Sequence, residues 1–147
     1  MDKISWCKTQ KDGIKLIEPT ERISQKYYEE AEKDLEEMNK AESLKWKDIQ
    51  GYYACYNALY AILQRIGIKS EIHDCTIELL NYIEGFSEEQ KTFLKKLKEK
   101  RIGAQYYLEP AQIDQNKIHD FVLTCKNILN NINPEDIKKI RKRIATA

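Results

Sequence analysis

A chain of 147 residues is long enough to bury one sizeable core and short of what two domains need. With 33% charged and 41% hydrophobic residues but only 5 Gly and 3 Pro, the composition favours helices and supplies little material for tight turns. A formal net charge of +1 excludes a global field that would draw nucleic acid or an anionic membrane, so only local charge clusters need weighing.

The opening MDKISWCKTQKDG lacks the apolar core of a signal peptide, and no run approaches the roughly 18 apolar residues of a membrane span. A soluble cytoplasmic protein is the expectation. In residues 1–19, Ile4 and Trp6 alternate with polar residues and Lys11-Asp12-Gly13 is a turn signal, which predicts a short extended N-terminal arm or hairpin. Thr20 then offers an N-cap, and Ile23, Tyr27, Ala31, Leu35 and Met38 recur at helical spacing, predicting an amphipathic helix over 21–40.

A second helix, ending at the C-cap glycine Gly67, is apolar or aromatic on nearly every face from Ile49 to Ile66. Such a helix must be covered by several neighbours, and Asn57 in its middle must find hydrogen-bond partners. A shorter helix is expected from Ile72 towards Gly85. Ser87-Glu88-Glu89-Gln90 has the form of a capping box and opens a fourth helix, which runs through the basic stretch Lys95–Arg101 towards a weak point at Gly103 and a stop at Pro110. An amphipathic helix over 113–132 and a short one opened by Asn133-Pro134 complete the chain, with Lys138, Lys139, Arg141, Lys142 and Arg143 expected in solvent. The sum is an all-α fold: residues 20–147 form an up-and-down bundle of four to five helices plus a short C-terminal helix, preceded by the arm.

Chemistry is sparse. The only histidines, His73 and His119, have no partners at zinc-ligand spacing, and no Gly-rich loop suits a nucleotide phosphate, so neither metal nor cofactor is expected. Cys7, Cys55, Cys75 and Cys125 are scattered without a CxxC pair and read as buried reduced thiols, too inert for a Cys–His nucleophile. The basic runs at 95–101 and 138–143 suit phosphate, and Tyr106 and Tyr107 suit base stacking, although lysine-rich helix ends are also simply solvated.

The stretch Gly51-Tyr52-Tyr53-Ala54-Cys55-Tyr56-Asn57-Ala58, the turn Gly67 to His73, and Arg101 with Ala104-Gln105-Tyr106 resemble the HEPN domain, in particular its small archaeal and bacterial single-domain members, over roughly residues 20–132. The resemblance implies a helical bundle, a homodimer, and a site for nucleotide or RNA. In ribonuclease members an Arg, four to six variable residues and a His form the motif. Arg101 matches the Arg, but Tyr106, Tyr107 and Leu108 stand where the His belongs. A tyrosine with pKa about 10 is a poor base at neutral pH, so binding is expected to outlast catalysis. The implied function is a homodimeric module of toxin–antitoxin type that partners a minimal nucleotidyltransferase, with weak or no nuclease activity. The alternative is a metal-independent endoribonuclease that uses Arg101 with a non-standard second residue. Candidate catalytic residues are Arg101 and Tyr106; candidate ligand-binding residues are Asn57, His73 and Tyr107. For His73 a helix-start hydrogen bond, and for Asn57 a buried polar pair that fixes helix register, are the plain structural alternatives.

Overall fold

The computed structural model describes residues 2–109 and 113–147. Its helices are α1 (Lys3–Thr9), α2 (Glu21–Lys40), α3 (Leu44–Ile66), α4 (His73–Glu78), α5 (Glu88–Tyr106), α6 (Gln115–Asn131) and α7 (Pro134–Thr146), with a 3-10 turn at Leu79–Tyr82. Two-residue strands β1 (Lys15–Leu16) and β2 (Ile68–Lys69) pair antiparallel, with Lys15 opposite Lys69 and Leu16 opposite Ile68. The all-α expectation holds.

Local chemistry sets most boundaries. Thr20 caps α2 through Ile23 N–H at 3.3 Å, Ser43 caps α3 through Trp46 N–H at 3.2 Å, and Ser87 with Gln90 closes the capping box of α5. Because Ser43 supplies that cap, α3 begins at Leu44, ahead of its apolar run. It ends where Gly67, at φ +90, donates to Leu63 O at 2.8 Å. A Cβ at Gly67 would lie 2.4 Å from Ile17 O, so glycine is required there for close approach as well as for backbone conformation.

α3 is the centre of the bundle. Fifteen of its 23 residues are buried, and it packs against α2, α5 and α6. α2 runs antiparallel to it: Thr20 N–H reaches Gln64 O, the Tyr27 ring packs tilted against that of Tyr60, and Asp34 meets Asn57. Gly51 lets α6 approach, since a Cβ there would lie 2.6 Å from Ile118 Cδ1.

Three expectations need correcting. The N-terminal arm is extended only around β1; residues 3–9 are helical because Asp2 caps Ser5 N–H at 2.8 Å, and helical turns bury Ile4 and Cys7 together against the bundle. That helix brings Cys7 to Cys75 of α4 with Cα atoms 5.8 Å apart, and the two form a disulfide where reduced thiols were expected. Cys55 and Cys125 are the buried free thiols, and desolvation pushes both well above the usual thiol pKa.

Arg141, expected in solvent, turns inward and donates from Nη1 to Ile17 O at 2.8 Å, Ile66 O at 3.2 Å and Gly67 O at 2.9 Å. The C-terminal end of α3 leaves carbonyls without intrahelical partners, and a guanidinium satisfies them. Gly103 does not end α5, which continues to Tyr106; Pro110 lies outside the described residues. Among the described residues no helix is long and apolar enough to cross a membrane.

Candidate functional site: Arg101, Tyr52 and His73

Three elements converge near the N-terminal half of α3. α5 carries Arg101 inward at 8% exposure, with its guanidinium carbon 5.0 Å from the Tyr52 ring centroid and 5.7 Å from that of Tyr53. Both contacts are cation–π, the favourable way to hold a cation with little water around it. Nη1 donates to Gln105 Oε1 at 3.0 Å, one helical turn on, while Nε is buried without a hydrogen-bond partner among the described residues.

On the other side of Tyr52 lies His73, the first residue of α4. Its ring stacks on Tyr56 at 4.2 Å and on Tyr52 at 5.8 Å, and Nδ1 sits 2.6 Å from the Tyr52 hydroxyl. Tyr52 is fully buried, and Nδ1 is the hydroxyl's one hydrogen-bond partner among the described residues. If Nδ1 carried the proton, the hydroxyl hydrogen would be left without an acceptor, at a cost of about 1–3 kcal/mol. The hydroxyl therefore donates, and the neutral imidazole keeps its proton on Nε2.

Electrostatics reinforce that state. Burial lowers the His73 pKa, and the charges of Arg101 and Lys98 lower it further against the opposing pull of Asp74. Asp74 forms an ion pair with Lys98, and that hydrogen bond holds its carboxyl below the usual range. Desolvation raises Tyr52 far above an ordinary phenol and pushes Tyr56 up to about 12. The cluster thus presents a guanidinium and a neutral imidazole N–H, both donors; neither ring hydroxyl is a base at physiological pH.

The remaining candidates lie apart from this cluster. Asn57 is one residue beyond Tyr56 but faces α2, where its amide donates to Asp34 Oδ2 at 2.7 Å. Burial, aided by Glu30 and Glu37, pushes Asp34 up to about 6 despite that hydrogen bond. Tyr106, 64% exposed, stands five residues after Arg101, about 140° around the helix from it. Tyr107, 69% exposed, follows the end of α5. His119 Nε2 lies 3.4 Å from Asn39 Oδ1 on the exposed surface.

The HEPN domain model matches residues 22–136 of the sequence, most of its length. The chain belongs to the HEPN family. No curated protein matches it significantly. In this HEPN chain an Arg and a His both contact Tyr52, but the His comes from α4 and precedes the Arg in sequence, so the linear motif is broken while one tyrosine links the two. Reading along the chain found Arg101 and His73 separately and missed Tyr52 as their link. The signal was present in Tyr52 and Tyr56, four residues apart, because one buried helix face needs a reason to carry two polar-tipped aromatics.

Proposed function

We propose that this HEPN chain is a homodimeric module that binds an RNA or nucleotide phosphate at Arg101, partners a minimal nucleotidyltransferase in a toxin–antitoxin pair, and has weak or no nuclease activity of its own. In this reading residues 20–147 form the working bundle and residues 1–19 an accessory arm. The observation that carries it is the Arg101 guanidinium held on Tyr52 and Tyr53 with Nε unpaired among the described residues, a fixed donor on the tyrosine that also contacts the His73 imidazole. Two adjacent donors suit a phosphate oxygen. Proton abstraction suits the cluster poorly, because the basic nitrogen of His73 already accepts from Tyr52. Tyr106 and Tyr107, exposed beyond Arg101, supply rings for stacking a base, whereas Asn57, turned to α2 with its amide on Asp34 Oδ2, would reach a ligand only by giving up that bond.

The metal-independent endoribonuclease reading draws support from one observation, that Arg101 and His73 flank the same tyrosine. End-labelled RNA incubated in EDTA with wild type, Arg101→Ala and His73→Gln separates the two. Under the binding reading no protein cuts, and Arg101→Ala weakens RNA retention at least about tenfold, as loss of one charge-assisted contact does. Cleavage by wild type that disappears in both variants would establish the nuclease instead.

A further inference from the structure

A concavity lies away from Arg101, between the 3-10 turn, α6 and α7. It is a cleft of about 660 Å³, within the span of roughly 300–1,000 Å³ typical of small-molecule sites. Its floor is apolar, with Ile83 and Ile140 at 4% and 9% exposure and Ile128 beside them. None of its lining residues belongs to the Arg101 cluster.

The α7 wall carries its charge. Asp136, Lys139, Ile140 and Arg143 follow one another at spacings of three, one and three residues, which places all four on one helix face. Asp136 is already engaged, since its Oδ2 accepts from Asn133 N–H at 3.2 Å in the capping box. Neither Lys139 nor Arg143 has an ion-pair partner among the described residues. Arg143 is held by its guanidinium lying 4.7 Å from the centroid of the Tyr82 ring. A lysine and a pre-placed arginine one turn apart above an apolar floor form an anion receptor with a ring-sized slot beneath it. Glu84, the other carboxylate of the lining, follows the 3-10 turn two residues after Tyr82.

We propose that this cleft binds a small organic anion, a phosphate or carboxylate borne on an apolar ring, with the anionic head on Lys139 and Arg143 and the ring over Ile128 and Ile140. The site is independent of the Arg101 cluster and of the function proposed for it. The probe is 1-naphthyl phosphate, titrated calorimetrically into the full chain, with 1-naphthol and inorganic phosphate as the ring-only and head-only controls. Naphthyl phosphate is expected to bind at least about tenfold more tightly than either control. Lys139→Ala and Arg143→Ala should each weaken it by about tenfold, with circular dichroism confirming that both variants fold. Equal affinity for naphthyl phosphate and naphthol, or no measurable binding, overturns the proposal. So does affinity that survives both α7 variants and disappears in Arg101→Ala, because that places the anion at the other site.

Discussion

Tyr52 carries one hydroxyl proton into a fully buried position, and among the described residues its one acceptor is His73 Nδ1. That bond has a measurable acid–base consequence. A histidine whose pKa is lowered on folding binds its proton more weakly in the native state than in the unfolded chain. Above the unfolded value of about 6.5 it contributes nothing to the pH dependence, and below it stability falls as the unfolded chain takes up the proton first. The His73 imidazole is therefore expected to titrate below 6.5, with the Nε2–H tautomer visible in its ¹⁵N shifts at pH 7. Tyr52→Phe removes the donor that favours the neutral ring, so the titration should move up; an unchanged midpoint would mean that the hydroxyl does not set the tautomer.

At the scale of elements, the features legible in the sequence were those closed within a few residues. Thr20, the Ser87–Gln90 box, Gly67 and the Asn133–Asp136 box each act on their own helix, and each sits where its local pattern places it. Arg141 was not legible, because the carbonyls it serves lie 74, 75 and 124 residues away and no local pattern marks them. It joins α7 to the end of α3 and to the strand β1 link, so Arg141→Ala should cost about 2–4 kcal/mol in urea denaturation. Lys138→Ala, on an exposed position of the same helix, should cost no more than about 0.5 kcal/mol. α1 escaped for a related reason. Its apolar residues Ile4 and Cys7 are spaced three apart, yet Trp6 beside them is 41% exposed, and in so short a segment that intrusion looks like strand alternation.

For the whole molecule, the candidate site was legible as residues and illegible as an arrangement. Arg101 and His73 stand out by type, but their meeting depends on α4 turning back beside α3, which is fixed partly by the disulfide two residues beyond His73. The Cys7–Cys75 link closes a loop of 68 residues that contains all of α2 and α3, and a loop of that length stabilises by about 4 kcal/mol in the chain-entropy account. The double variant Cys7→Ser, Cys75→Ser should lose about 2–4 kcal/mol, read as a lower denaturation midpoint in the absence of reductant, where wild type keeps its own. The same link changes what a cut in the chain means. The exposed connection at Glu42 and Ser43, between α2 and α3, falls inside the closed loop. A protease that severs it leaves two polypeptides in one molecule, migrating together until the sulfurs are separated, and still bearing Arg101, Tyr52 and His73 on the same piece.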